Sequence, residues 1–410
     1  MRTIALSTLA LLAGAALLGG CQGHGKYTGE FKENAELRVS QMKAATEWDM
    51  ARQQFLSGDL EKALRSIDRS LTMDDTVAKS HVLRGRILLE LSRLEPALQS
   101  LERAGELKPE DAEAFYYAGI VYERISRPEQ AFEAYMKAQK NDPTDPQFPL
   151  AAAEMLVEQG KLAEAEAMLT DSSASFQHNA GIRQTLGHIA LLRGDTARAV
   201  VLFNEATLLG PGDAALREDL ARAQMSAGRF ADAETGLRWI LDQPEGKDRR
   251  DLVHLRARCL IELDKPVEAR AILLGLVRDE SGGSDTASWI ELGNVSLMLN
   301  DQSRLRECAQ RLMSAAPGQP EGYLFLALWQ RGRGEPDKAV ATLSRAIAVD
   351  KTSAGPALLQ GVILQDLGRG AEAARAFRIA LKRDPSNAQA RALLAGVAPA
   401  SAVAEAVEPE

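Results

Sequence analysis

An all-α fold, a solenoid of stacked helical hairpins, is what this sequence predicts, and three observations predict it. A small residue recurs every 34 residues at Ala63, Ala97, Ala131, Ala165, Ala199 and Ala233. Two steps of 36 follow, to Ala269 and Leu305, and the 34-residue step resumes at Ala339 and Ala373. A second small position runs in phase with it: Ala51, Gly85, Gly119, Ala153, Gly187, Ala221, Ala257, Gly293, Ala327 and Gly361. A third position holds residues that tolerate positive φ, namely Gly58, Gly160, Gly194, Gly228, Gly334 and Gly368, with Asp264 and Asn300 in two copies. Ser92 and Ser126 are its departures. A period of this length signals stacked supersecondary units. Helices approach closely only where a facing side chain is Gly or Ala, and larger residues fill the flanking space.

The two most regular copies show the unit in full. Gly85, Ala97, Leu101, Ala104 and Pro109 stand at the same offsets as Gly119, Ala131, Tyr135, Ala138 and Pro143. This spacing resembles the tetratricopeptide repeat. The resemblance implies a right-handed α-solenoid of about ten helix–turn–helix repeats over residues 44–385, closed by a C-terminal capping helix. A solenoid grows in one dimension, so the length of 410 residues demands no division into globular domains.

Taken in order, the chain begins with the pattern of an export signal over residues 1–20. Arg2 supplies a positive charge, the apolar run from Ile4 to Leu18 is too short to span a bilayer, and small residues follow it. Leu18-Gly19-Gly20-Cys21 resembles the bacterial lipobox, which implies cleavage before Cys21 and lipidation of its thiol. The alternatives are a plain secretory signal with an incidental cysteine and an uncleaved anchor. Gln22, where Asp would favour the inner membrane, leans towards an outer-membrane, periplasm-facing location.

Residues 21–43 read as a tether, Gly-rich through Gly29, and a lead-in helix, since no Pro or Gly interrupts Glu30 to Leu56. The first repeat's helix either extends backward through this stretch or is preceded by another. Lengthened polar turns at Asp242–Asp248 and Asp279–Asp285 account for the two 36-residue steps. The second reads as loop drift, with a hinge or partner loop near Gly282 as the alternative. Ser386 to Val397 reads as the capping helix, with Ser386 at its N-cap, and residues 398–410 as a disordered tail.

Composition and motifs exclude much chemistry. The formal net charge is −8 and no basic run appears, which argues against nucleic-acid partners. Phosphate-binding loops, zinc-protease helices, nucleophile elbows and EF-hand loops are absent from the sequence. The five histidines are scattered, so no metal or other cofactor is expected and the chain reads as a non-enzyme. Cys259 and Cys308 read as small buried residues within helices, with a disulfide between them in an oxidising compartment as the alternative.

What remains is a surface. In the resembled family the first helices line the concave face and contact protein or peptide partners. Carried over residue by residue, that groove holds Trp48, Arg52, Arg86, Glu90, Tyr116, Tyr117 and Arg124, then Glu154, Arg222, Arg258, Asn294 and Phe325. Trp48, Tyr116 and Tyr117 either anchor a peptide, as rigid aromatics do at interfaces, or fill space between adjacent first helices. The resemblance suggests a membrane-anchored scaffold or adaptor in cell-envelope assembly, of the pilus, secretion or exopolysaccharide kind. A self-associating structural protein and an activator of an envelope enzyme are the alternatives.

Overall fold

The structure, a computed structural model, describes residues 26–278 and 285–397. The signal segment, Cys21, the tail after Val397 and most of the second lengthened turn lie outside the described residues. The described residues form α-helices and one short 3-10 turn, with no strand. They divide into two compact units, up to Gly194 and from Asp195 onward.

The first unit contains α1 (Lys26–Leu56), α2 (Leu60–Met73), α3 (Ala78–Glu90), α4 (Leu94–Leu107), α5 (Ala112–Arg124), α6 (Pro128–Asn141), α7 (Gln147–Glu158), α8 (Leu162–Ser175) and α9 (Ala180–Leu192). Each helix packs on the next, and the first helices of neighbouring hairpins also touch, as α1 does α3 and α3 does α5. The second unit runs through α10 (Thr196–Leu209), α11 (Ala214–Ser226), α12 (Phe230–Leu241), α13 (Arg250–Glu262), α14 (Pro266–Arg278), α15 (Thr286–Met298) and α16 (Gln302–Ala315). It ends with α17 (Glu321–Gly332), α18 (Pro336–Val349), α19 (Gly355–Asp366), α20 (Gly370–Arg383) and α21 (Ala388–Val397). The architecture is therefore the all-α hairpin stack that the spacing predicts.

The corners between first and second helices have one conformation. All six glycines at this position have φ between 72° and 81°, and Ser92, Ser126, Asp264 and Asn300 adopt φ of 54° to 58°. The two serines thus occupy the left-handed region in spite of their Cβ, which costs an ordinary residue roughly 1–2 kcal/mol. Replacing Ser92 and Ser126 by Gly is expected to stabilise the first unit by about 1 kcal/mol per site, read as a higher urea midpoint. An unchanged or lower midpoint would contradict this account of the corner.

The small positions are buried because large neighbours sit on them. A Cβ added to Gly85 would lie 2.5 Å from Leu101 Cγ, one on Gly119 2.4 Å from Tyr135 Cε1, and one on Gly361 2.4 Å from Phe377 Cε1. In each case the covering side chain stands sixteen positions later, in the second helix of the same hairpin. The eighth hairpin departs from this rule. Sixteen positions after Gly293 stands Ala309, which is too short to reach, and Leu305 occupies the usual alanine site. Phe325, from the first helix of the following hairpin, fills the gap, with Cε2 2.2 Å from the position of a Gly293 Cβ. Phe325 is 5% exposed. Its assignment to the groove is corrected accordingly: it is a core residue, borrowed across hairpins because Ala309 leaves space.

Both ends differ in detail from the sequence reading. Lys26 to Gly29 belong to α1 and not to a tether, and α1 is one continuous helix that includes the lead-in stretch. From Glu30 to Lys43 it overhangs the first hairpin, exposed but for Ser40, whose Oγ donates to the Met73 carbonyl at 3.0 Å. At the other end α21 starts at Ala388, capped by Asn387, whose Oδ1 accepts from the Ala390 amide at 2.8 Å. Ser386 instead donates its hydroxyl to Asp384, 2.7 Å away. Ala390 and Leu394 are buried against the last hairpin, the contact expected of a cap. Cys259 and Cys308 are free and buried, and desolvation raises their thiols to about 11 and about 12.

Candidate protein-binding surface

The first helices α1, α3 and α5 place the proposed groove residues of the first unit side by side. Trp48 does not stand free: it packs against the core, its indole N–H points at the Lys79 carbonyl at 3.4 Å, and the Lys79 ammonium lies 4.3 Å from the ring centre. Arg52 is exposed, 6.0 Å from the same ring. For Trp48 the space-filling alternative therefore holds, and the ring ties α1 to the start of α3.

Arg86 is likewise engaged. Its guanidinium lies 4.7 Å from the Tyr117 ring and 5.3 Å from Phe55, and donates to Glu113 at 2.8 Å. Glu90 is exposed at the end of α3, and Arg124 donates across to the Leu89 carbonyl at 3.2 Å. Tyr116 and Tyr117 are half-buried and meet edge to face, with centroids 5.4 Å apart. Tyr116 also contacts Phe148 at 5.3 Å and Tyr135 at 5.7 Å. Such aromatic contacts fix ring orientation without long flexible stems.

Tyr116, Tyr117 and Phe148 form one wall of a concavity of about 400 Å³. Its rim comes from two loops that join a second helix to the next first helix: Lys108, Glu110 and Asp111 on one, Asp142 and Asp145 on the other. Backbone amides hold the rim aspartates. Asp111 accepts from the Glu113 amide and Asp145 from the Gln147 amide, at 3.2 and 2.8 Å. Asp142 accepts from the amide and hydroxyl of Thr144, at 2.9 and 2.6 Å, and these bonds hold its carboxyl below the usual range.

The electrostatics follow. Burial first, then Tyr117 and the carboxylates of Asp145, Glu123 and Glu154, hold the Tyr116 phenol above its ordinary value. Burial also raises Tyr117, with Arg86 opposing. Desolvation and then Glu123 push the Glu154 carboxyl up, against the pull of His188. Tyr135, buried behind Tyr116, donates its hydroxyl to Glu123 at 2.9 Å.

In the second unit the proposed arginines meet neighbouring carboxylates. Arg222 donates to Glu218 at 2.7 Å, and Arg249 joins Glu218 and Asp251 at 2.9 and 2.7 Å. Arg258 lies 3.9 Å from Glu291. Asn294 is exposed on α15. Exposed pairs of this kind contribute little stability. They leave that wall electrostatically satisfied by its own groups.

Glu110, Asp111, Glu113, Asp142, Asp145 and Phe148, which line the concavity, were not among the sequence-derived groove residues. Their signal is the recurrence of Pro109-Glu110-Asp111 and Pro143-Thr144-Asp145 at the repeat period. Attention to outward positions on first helices passes over it.

Tetratricopeptide repeat models match residues 82–146, 190–250 and 358–408, so repeats of that family are present in the chain. No curated protein matches the sequence. Among solved structures, Pseudomonas aeruginosa pilF is 20% identical, with 51% of this chain and 94% of that one covered and a TM-score of 0.42. PilW, a type IV pilus biogenesis factor, is 21% identical over 50% of this chain and 96% of its own, with a TM-score of 0.43. YrrB, a TPR protein with an unusual peptide-binding site, is 20% identical over 46% and 94%, with a TM-score of 0.37.

Proposed function

We propose that this chain is a lipid-anchored, protein-binding scaffold of a bacterial cell envelope. It is held at Cys21, facing the periplasm from the outer membrane where the cell has one, and serves an assembly of the pilus, secretion or exopolysaccharide kind. The observation that carries the binding half is the concavity lined by Tyr116 and Tyr117. It offers half-buried aromatic rings on rigid helices beside a polar rim, the arrangement from which interface anchors are made. The anchoring half is supported by the charged start, apolar run and Leu18-Gly19-Gly20-Cys21 of the sequence.

Anchoring is tested by growing cells with an alkyne-bearing palmitate. The wild-type protein should take up label and, by mass, lack residues 1–20, whereas Cys21→Ser should take up none. An unlabelled wild-type protein, or label retained in the variant, ends that half of the proposal. Self-association is favoured by a separate observation. On the overhanging part of α1, Phe31, Leu37 and Met42 are 80%, 55% and 72% exposed. Sedimentation that depends on concentration, and that is lost when Phe31 and Met42 become Ser, would establish that reading.

A further inference from the structure

The concavity at Tyr116 differs in charge from the rest of the proposed binding surface, and the difference specifies a partner. Five carboxylates line it, from Glu110, Asp111, Glu113, Asp142 and Asp145, against one ammonium, Lys108. Lys108 is already 3.4 Å from Asp111, and Glu113 is already bound to Arg86. Among the described residues, Glu110 receives no hydrogen bond or ion pair, and Asp145 accepts only the Gln147 amide. Turn geometry accounts for the position of the three aspartates. It does not account for Glu110, which caps nothing.

A second observation points to the ligand. Next to the open part of the concavity, the chain has built one complete cation site of its own. The Arg86 guanidinium lies 4.7 Å from the Tyr117 ring while donating to Glu113. Tyr116, 5.4 Å from Tyr117, repeats half of that arrangement: a ring on the same helix in the field of Asp145, Glu123 and Glu154. No cation lies over it among the described residues. A guanidinium over an aromatic face with a carboxylate beside it combines cation–π attraction with charge-assisted hydrogen bonds. About 400 Å³ exceeds what a bare ion needs and suits a long side chain with some flanking backbone.

We infer that this concavity receives an arginine-bearing or lysine-bearing extended segment of the partner protein, with the cationic side chain seated between Tyr116 and the carboxylates of Glu110 and Asp145. The inference rests on the protein-binding reading above and names its chemistry. Arginine is preferred to lysine because its planar fork can stack on the ring and bond a carboxylate together.

The test uses the full chain in detergent and fluorescent Gly–Ser peptides that carry paired arginines, paired glutamates or neither. The arginine peptide should bind about tenfold or more tightly than the other two, and added salt should weaken it. Glu110→Gln combined with Asp145→Asn should weaken the arginine peptide by about tenfold while leaving the melting curve unchanged, since an Asn side-chain oxygen can still accept from the Gln147 amide. Tyr116→Leu should lower affinity without altering the salt slope. Equal binding of the arginine and glutamate peptides, or an unaffected double variant, overturns the inference. A photo-crosslinker at Gln147, on the rim, separates the two readings. Capture of a partner in native membranes without any arginine preference removes the cationic assignment and leaves the scaffold standing. Neither capture nor peptide binding removes both.

Discussion

Replacing Phe325 by Ala is expected to destabilise the second unit by about 3–5 kcal/mol, the range for deleting a buried ring from a core that cannot collapse. The ring is 5% exposed and fills the space between Gly293 and the short Ala309. It belongs to the buried cluster that joins α13 through α17, so the loss should appear as faster amide exchange in α15, α16 and α17, with the first unit unaffected. In the same background, Ala309→Leu restores a large residue at the position that covers the small site in the other hairpins. Part of the lost protection should return. Unchanged exchange in Phe325→Ala would show that the ring is not what fills the site, and no recovery in the double variant would show that Leu305 leaves no room for the usual arrangement.

A large side chain at Gly119 should be almost as costly. Even a methyl group there would lie 2.4, 2.6 and 2.9 Å from Tyr135 Cε1, Cδ1 and Cζ, in the middle of a rigid ring. Tyr135 is 1% exposed and its hydroxyl is tied to Glu123, so it has no free direction in which to yield. Gly119→Leu is therefore expected to cost about 3 kcal/mol, measured by urea unfolding of the first unit. Because Tyr135 lies 5.7 Å from Tyr116, a displaced ring should also loosen the wall of the concavity and lower peptide affinity there. A variant that unfolds at the wild-type midpoint would mean that the helices separate at negligible cost, contrary to the close approach seen here.

The fold was legible because its constraints are periodic. Ala63 and its equivalents report close helix contact, and the corner positions report backbone conformation, so two independent series with one period leave little freedom. Even the departures Ser92 and Ser126 adopt the conformation that the series demands. Legibility failed where one hairpin depends on another. Phe325 occupies an outward position in its own repeat, and only the shortness of Ala309, sixteen residues before it, explains why it turns inward. A rule that treats each repeat alone cannot register that exchange.

The binding surface was legible in part for a related reason. Tyr116 and Tyr117 stand on a first helix, where residue-by-residue mapping places contacts. The carboxylates that give their concavity its charge stand on loops, and it is packing of consecutive hairpins that brings the two loops together. Trp48 shows the converse. Its position left an anchor and a space-filler equally open, and the neighbouring Lys79 occupies its face. Sequence position identified the rings, and only the neighbours told which ring was open.

The overhang of α1 would have a mechanical consequence under the anchoring at Cys21 proposed above. Residues 26–43 precede Ala44, the first buried position among the described residues, and at 1.5 Å per residue they make a rod of roughly 27 Å. Under that proposal the rod would add its length to the distance between anchor and repeats. Shortening the rod by whole turns would then lower the height at which partners are met while leaving every contact residue in place.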